Sequence, residues 1–213
     1  QLADVVTGMR ALEVRGFNVS MPNKTKILPL LDELSPAAQF AGAVNTVVNE
    51  NGKLVGHITD GTGYMRGLKE AGIDVVGKKM VLMGAGGAAT AIAIQAALDG
   101  VAEIAIFNRD DEFFARAEKT AIAEADILTN GTGVGMKPLQ DECLIPDASW
   151  LRPELIVTDV VYIPRKTKLL EMAEGVGCKT LNGLGMMLWQ GAKAFEIWTG
   201  EEMPVEYVKE QMF

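Results

Sequence analysis

A glycine-rich run between a buried-type strand and an alanine-rich helix is the first feature that could do chemistry. The run is Gly84-Ala85-Gly86-Gly87-Ala88-Ala89, which follows Lys79 to Met83 and opens a helix to Leu98. Glycines in such a turn let the backbone approach a pyrophosphate, and the helix N-terminus stabilises its charge. The spacing departs from strict G-x-G-x-x-G but keeps two glycines and a small third residue. It predicts a dinucleotide site, and a plain strand–helix turn that needs glycine is the alternative.

A second polar turn bears on which dinucleotide would bind. Asn108, Arg109, Asp110 and Asp111 follow the next predicted strand, where the adenosine ribose of a bound dinucleotide would lie. A carboxylate there accepts hydrogen bonds from the ribose hydroxyls and repels a 2′-phosphate. Arg109 favours the phosphate. Two acids against one arginine favour NAD over NADP, and a solvated surface turn is the alternative.

One lysine and one aspartate could form a proton-transferring pair. Lys24 and Asp60 both lie in predicted turns at the ends of extended segments. Such a pair can move a hydroxyl proton while a hydride leaves the same carbon. Taken singly, a solvated lysine and a helix-capping aspartate are the simpler interpretations.

Composition excludes several other classes of function. The formal charge of −8 disfavours nucleic acid as a partner, because phosphate neutralisation needs clustered Lys and Arg. One histidine, His57, and two cysteines, Cys143 and Cys178, leave almost no material for a His/Cys zinc site, so no metal is expected. So few cysteines fit a reducing cytoplasm. The uncharged run from Met80 to Leu98 contains several glycines, so we interpret it as strand–turn–helix and not as a membrane span.

The periodicity predicts an α/β protein. Extended segments 43–48 and 53–58 flank Asn51-Gly52, a strong hairpin signal. A helix is expected over Ile27, Leu30, Leu31 and Leu34. From Gly77 onward strands alternate with helices, which implies a parallel sheet, and the tail is helical. Only one helix fits between the second strand and Asp126, so an element is expected to be missing there, and earlier sequence is expected before Gln1.

Taken together, a set of short motifs resembles the shikimate dehydrogenase family, most closely its quinate/shikimate dehydrogenase branch. The motifs follow the family's order along nearly the whole chain: Val19-Ser20-Met21-Pro22-Asn23-Lys24, Gly42-Ala43-Val44-Asn45-Thr46, Thr59-Asp60-Gly61, Gly84-Ala85-Gly86-Gly87-Ala88, Asn108-Arg109, Thr129-Asn130-Gly131-Thr132, Tyr162-Ile163-Pro164 and Gly183-Leu184-Gly185-Met186-Met187-Leu188-Trp189-Gln190. Each motif is modest, whereas the ordered set is highly specific.

The resemblance implies a Rossmann-like parallel-sheet cofactor domain and a smaller α/β substrate domain, with the active site in the cleft between them. We expect residues 1–60 to form the substrate domain, 61–76 a linker helix and 77–185 the cofactor domain. Residues 186–213 are expected to be helices that return to the substrate domain.

The resemblance also implies roles for individual residues. Lys24 and Asp60 would be catalytic, and they would bind substrate together with Ser20, Asn45, Thr59 and Gln190. The cofactor would be held by Gly84, Ala85, Gly86, Gly87, Ala88, Asn108, Arg109, Asp110, Asp111, Thr132, Val160, Val161, Tyr162, Ile163 and Gly183.

The expected activity is reversible NAD-linked oxidation of shikimate or quinate to a ketone in the cytoplasm, with a homodimer as the expected assembly. An NADP-specific shikimate dehydrogenase of aromatic amino-acid biosynthesis and a non-catalytic dinucleotide-binding regulator are the alternatives. The presence of both Lys24 and Asp60 disfavours the regulator, because a sensor needs neither.

Overall fold

The computed structural model describes the backbone of residues 1–108 and 112–212 and the side chains of residues 1–108 and 118–211. Its elements run in the order α1 (Leu2–Ala11), β1 (Gly16–Asn18), β2 (Glu33–Leu34), α2 (Pro36–Ala41), β3 (Thr46–Glu50), β4 (Lys53–His57), α3 (Asp60–Glu70), β5 (Lys79–Met83), α4 (Gly87–Leu98), β6 (Glu103–Phe107), α5 (Glu112–Glu124), β7 (Ile127–Asn130), β8 (Ile156–Asp159), α6 (Lys168–Val176), β9 (Lys179–Leu181), α7 (Leu184–Thr199) and α8 (Val205–Met212).

The strands form two separate sheets. The first has the order β1-β3-β4-β2, and the second has the order β6-β5-β7-β8-β9 with every pair parallel. The α/β fold class is therefore as predicted, with a Rossmann-like parallel sheet beside a smaller mixed sheet. In the parallel sheet the strand order reverses at β5, and ligands of doubly wound sheets bind at the carboxyl ends of the strands at such a point.

The β3–β4 hairpin confirms the strongest local signal in the sequence. Asn51 and Gly52 both adopt positive φ, at 55° and 90°, as a tight turn between twisted strands requires. The hairpin belongs to the first sheet, where β1 and β2 flank it.

The helix predicted over Ile27 to Leu34 is wrong. Only a 3₁₀ turn forms, at Leu28–Leu30, and Glu33–Leu34 becomes strand β2, parallel to β4. Pro29 lies inside the turn and has no amide hydrogen to donate to a helix. The helix forms later as α2, where the Ser35 side chain accepts from the Ala38 amide.

In the described part of the chain, the parallel sheet has five strands, one fewer than the common doubly wound order. That order is 3-2-1-4-5-6, and β6, β5, β7, β8 and β9 take the places of its last five members. A single helix, α5, joins β6 to β7, as the sequence predicted. Within residues 1–108 and 112–212, no strand pairs with the outer edge of β6.

Helix α3 connects the two sheets. At two glycines its backbone packs directly against the neighbouring helices α4 and α7, with no side chain between them. A Cβ at Gly61 would lie 2.2 Å from the Ala91 carbonyl oxygen on α4, and one at Gly63 would lie 2.6 Å from the Gln190 amide nitrogen on α7. Glycine is therefore required at both positions, and α3 is clamped between α4 and α7. This packing fixes where the first residue of α3, Asp60, lies.

Candidate active site

Lys24 and Asp60 form a buried ion pair. Lys24 Nζ lies 2.6 Å from Asp60 Oδ2, and the two side chains are 15% and 7% exposed. Lys24 is held to the segment that precedes β3 because its carbonyl oxygen accepts a hydrogen bond from the Val44 amide. Asp60 begins α3, where the positive end of the helix dipole stabilises a carboxylate. The structure thus brings together two residues that are 36 positions apart.

A cluster of neutral polar side chains adjoins this pair. Asn45 Nδ2 donates to Thr59 Oγ1 and to Gln190 Oε1, each at 3.0 Å, and the Thr59 amide donates to Asn45 Oδ1 at 2.9 Å. Three elements therefore converge: the residue before β3, the residue before α3, and α7. Because Thr59 directly precedes Asp60 in the chain, the cluster and the ion pair are next to each other in the fold.

Ser20 is placed less closely. It is exposed and lies in the turn that leads to Lys24, where its carbonyl oxygen accepts from the Asn23 amide. Among the described contacts, none joins the Ser20 side chain to the other five predicted substrate residues.

The glycine-rich turn has the geometry of a pyrophosphate cradle. Gly84 adopts φ +109°, which a tight turn after β5 requires. A Cβ at Gly86 would meet nothing within 4 Å, so the backbone there is open to a ligand. The third position, Ala89, is fully buried, and a Cβ at Gly131 would lie 2.9 Å from its methyl group. The tight turn, open approach and close packing that a dinucleotide needs are all present.

The start of α4 also lies against the segment that precedes β3. A Cβ at Gly87 would lie 2.9 Å from the Ala43 side chain. The first amide groups of a helix have no partner within it and are available to an anion. The N-terminus of α4, with Ala85 and Ala88 on either side of the two glycines, is therefore close to the segment that carries Asn45.

The predicted ribose-binding turn is only partly described. Asn108 is exposed at the end of β6. Arg109, Asp110 and Asp111, on which the charge argument for NAD depends, lie outside the described residues.

The loops after β7 and β8 are tied together by buried polar side chains. Asn130 Nδ2 donates to Asp159 Oδ1 at 2.9 Å, and Asn130 Oδ1 accepts from both the amide and the hydroxyl of Thr132. Asp159 also accepts from the Val161 amide and the Thr167 hydroxyl. Burial raises the pKa of Asp159 to about 6, against the opposing effect of these three hydrogen bonds.

Sequence reasoning did not select Asn130 or Asp159 as site residues. The available signal was that each ends a buried strand with a polar side chain, at the sheet edge where ligands bind. Through Thr132 and Val161 they position residues that the sequence did predict.

The predicted wall for the nicotinamide ring forms a continuous loop surface. Val160, Val161, Tyr162 and Ile163 line an apolar cavity of about 600 Å³, together with Met136. The Gly183 amide donates to the Val161 carbonyl at 2.9 Å. A Cβ at Gly183 would lie 2.1 Å from the Val160 carbonyl oxygen, so only glycine fits there.

Two kinds of site are absent from the described part of the chain. No group of three His, Cys, Asp or Glu side chains is arranged there to hold a metal ion. None of the helices described combines the length and the apolar character that a membrane span needs.

Fold and site together define an NAD(P)-dependent oxidoreductase that acts on a CH–OH group. Two family models match the chain: the shikimate dehydrogenase substrate binding domain over residues 1–47, and the shikimate 5′-dehydrogenase C-terminal domain over residues 183–213. The chain is also 64% identical to the shikimate dehydrogenase (NADP(+)) of Listeria monocytogenes serotype 4b, strain F2365. That comparison covers 100% of this chain and 82% of the relative. The chain belongs to the shikimate dehydrogenase family.

Solved structures agree with this assignment. A crystal structure of shikimate 5-dehydrogenase from Listeria monocytogenes, in complex with shikimate and NAD, superposes with a TM-score of 0.90 at 63% identity, covering 100% of this chain and 82% of the other. Quinate dehydrogenase from Corynebacterium glutamicum, in complex with NAD, superposes with a TM-score of 0.86 at 33% identity, covering 99% and 81%.

The curated relative carries residues that this chain lacks. The match extends over 238 positions, whereas this chain has 213 residues and is covered completely.

Proposed function

We propose that this protein is a shikimate dehydrogenase, which reversibly oxidises one ring hydroxyl of shikimate to give 3-dehydroshikimate. The observation that carries this proposal is the buried Lys24–Asp60 pair, which is next to the hydrogen-bonded Asn45–Thr59–Gln190 cluster in the fold. The Listeria relative, 64% identical, bears that name, and its crystal homologue at 63% identity holds shikimate.

In this proposal the ion pair handles the hydroxyl proton. A substrate hydroxyl that contacts both Lys24 Nζ and Asp60 Oδ2 loses its proton as the hydride leaves the same carbon. Either Lys24 receives that proton as a neutral amine, or it stays cationic and orients the hydroxyl while the Asp60 carboxylate receives the proton. The 2.6 Å separation supports both versions, because one hydroxyl can reach both groups.

We propose that the neutral cluster binds the rest of the substrate. Asn45, Thr59 and Gln190 offer amide and hydroxyl groups that can donate to and accept from ring hydroxyls. Ser20, exposed in the turn before Lys24, would add a hydroxyl group to this set. Because Asn45, Thr59 and Gln190 are mutually hydrogen-bonded, their orientation is set before the substrate arrives.

The bound dinucleotide would supply the hydride acceptor, and the chain would supply its position. Gly84 to Ala88 would hold the pyrophosphate with backbone amides, and Thr132 would face it from the β7 loop. Val160 to Ile163 and Gly183 would form an apolar wall that keeps water from the nicotinamide. Asn108, Arg109, Asp110 and Asp111 would contact the ribose.

We infer that NADP is the working cofactor, which is the alternative to the NAD preference that the sequence predicts. The 64% identical relative is named for NADP(+). The use of NAD remains a second candidate because the 63% identical crystal structure holds NAD, and because Asp110 and Asp111 would repel a 2′-phosphate. Oxidation of quinate is a third activity to test, since a quinate dehydrogenase shares the fold at 33% identity.

The domain division also stands as a proposal. Residues 1–60 and 186–213 would form the substrate domain around the first sheet, with 61–76 as the linker helix and 77–185 as the cofactor domain. A cytoplasmic location and a homodimer stay predictions.

Steady-state kinetics with the purified chain test the proposal. Shikimate and quinate are each oxidised with NAD and with NADP, and dinucleotide reduction is followed by absorbance. We expect the highest kcat/KM for shikimate with NADP. If neither substrate is oxidised with either cofactor, the proposed function is wrong; if NAD gives the higher kcat/KM, only the cofactor inference is wrong.

A further inference from the structure

A buried triangle of hydroxyl groups connects helix α3 to the parallel sheet. The Tyr64 hydroxyl lies 2.7 Å from Thr129 Oγ1 and 2.8 Å from Thr158 Oγ1, and the two threonine hydroxyls lie 2.9 Å apart. All three side chains are buried. Each hydroxyl has one proton to donate and can also accept, so the triangle satisfies all three groups without water.

The two threonines belong to the strands that support the cofactor loops. Thr129 on β7 and Thr158 on β8 are direct partners in the parallel register. The residues that follow them, Asn130 and Asp159, form the hydrogen-bonded pair that holds the Thr132 and Val161 backbones. A group that hydrogen-bonds to both threonine hydroxyls therefore fixes the two strands at the residue directly before each loop.

Tyr64 lies one helical turn after Asp60. Residues four apart are neighbours on the same face of a helix, so the Tyr64 anchor and the Asp60 carboxylate move together as α3 rotates or slides. Burial raises the pKa of Tyr64 to about 12, so its hydroxyl stays protonated at neutral pH. Gly61 and Gly63 let α3 approach α4 and α7 closely but supply no directional contact of their own.

We propose that Tyr64 is a positioning residue for the reaction. Its hydroxyl fixes the position of helix α3, which carries Asp60, relative to strands β7 and β8, which lead into the cofactor loops. The proposal rests on the proposed function, since it concerns the distance between the proton-handling pair and the nicotinamide. A purely structural tyrosine would stabilise the core, but its hydroxyl would not affect the position of the Lys24–Asp60 pair relative to the nicotinamide.

Replacing Thr129 in two ways separates these roles. Thr129→Val keeps the shape of the side chain and removes the hydroxyl, whereas Thr129→Ser keeps the hydroxyl and removes a methyl group. If Tyr64 positions α3 through this hydroxyl, kcat with shikimate should be higher for Thr129→Ser than for Thr129→Val. A packing role predicts the reverse order, because serine leaves a cavity and valine does not.

Tyr64→Phe tests the hydroxyl directly. We expect kcat with shikimate to fall about tenfold and the shikimate KM to stay within about twofold, because misplacement affects the reacting geometry more than binding. Ile122→Val is the matched control: it trims the hydrophobic core on the opposite face of the sheet and contacts neither α3 nor the triangle. Its kcat should equal that of the wild type.

Amide hydrogen exchange of the ligand-free protein supplies a readout that does not depend on turnover. In Tyr64→Phe the amides of the first two turns of α3 should exchange at least about tenfold faster than in Ile122→Val. The proposal is overturned if the exchange rates of these amides are unchanged, or if kcat of Tyr64→Phe stays within twofold of the wild type. It is also overturned if kcat of Thr129→Val is higher than kcat of Thr129→Ser. If the wild-type protein shows no turnover, the proposed function is wrong, and so is the catalytic part of this inference. Hydrogen exchange would still show whether the Tyr64 hydroxyl holds α3 against the two strands.

Discussion

The buried carboxyl group of Asp159 should give the protein a measurable dependence of stability on pH. Its side chain is at the carboxyl end of β8, where the residue is 2% exposed and accepts hydrogen bonds from Asn130, Val161 and Thr167. Burial raises its pKa from 3.8 to about 6, because desolvation outweighs the three hydrogen bonds. Asp159→Asn keeps the shape and removes the titration.

The size and the sign of the effect follow from proton linkage. Between pH 3.8 and about 6 the folded protein binds more protons at this group than the unfolded chain does. The free energy of unfolding therefore falls as pH rises through that window. A difference of about two pKa units corresponds to about 3 kcal/mol, which is the contribution lost between the bottom and the top of the window.

Urea unfolding of both proteins, at steps from about pH 4 to about pH 7.5, measures this contribution. We expect the free energy of unfolding of the wild type minus that of Asp159→Asn to fall as pH rises and to level off above about pH 7. Other carboxyl groups cancel in the difference because both proteins share them.

Asp32→Asn is a useful control for the sign. Hydrogen bonds from Arg10 and from the Leu54 amide hold the pKa of Asp32 below its ordinary value, so its contribution is present above that value and is lost as pH falls. The corresponding difference for Asp32 should therefore not fall as pH rises. A difference for Asp159 that is constant or rises with pH would refute the desolvation argument.

Three further predictions concern packing, cofactor and substrate. Gly61→Ala should lower the free energy of unfolding by about 1–3 kcal/mol, because its Cβ would meet the Ala91 carbonyl oxygen. Gly8→Ala, whose Cβ would meet nothing within 4 Å, should raise the free energy of unfolding by up to about 1 kcal/mol. Equal effects of the two substitutions in thermal unfolding would contradict the close packing of α3. Asp110→Ala should shift the ratio of kcat/KM values toward NADP, and an unchanged ratio would remove the charge argument. Gln190→Ala should raise the shikimate KM by roughly 3- to 10-fold with a smaller change in kcat, and a dominant loss of kcat would place Gln190 nearer the reacting atoms.

Local chemistry made parts of the fold predictable. Asn51 and Gly52 tolerate positive φ, so the β3–β4 hairpin could be predicted from two residues. Strand β5, the glycine turn and α4 followed from the change in hydrophobic period around Gly84. The segment after Lys24 was mispredicted because its leucines occur at helical spacing, while Pro29 and pairing with β4 determine its conformation.

For the candidate site, sequence chemistry pointed to some residues and missed others. Lys24 and Asp60 could be paired because a lysine and an aspartate suit one reaction, and the structure places them 2.6 Å apart. The Asn130–Asp159 contact and the Tyr64 triangle depend on the register of two parallel strands and on the position of α3 against them. Register and helix position arise from packing of the whole chain, and no local pattern encodes them.

We propose that Lys24 takes part in proton transfer during oxidation of shikimate, and kcat of Lys24→Ala with saturating shikimate and dinucleotide tests this role most directly. General acid–base catalysis is typically worth about 10²–10⁴-fold, so kcat should fall at least about 10²-fold while dinucleotide affinity is nearly unchanged. Asp60→Asn, which keeps the shape and removes the charge, should show a comparable loss. A near-normal kcat with a raised shikimate KM would show that Lys24 only binds substrate and would contradict its role in proton transfer.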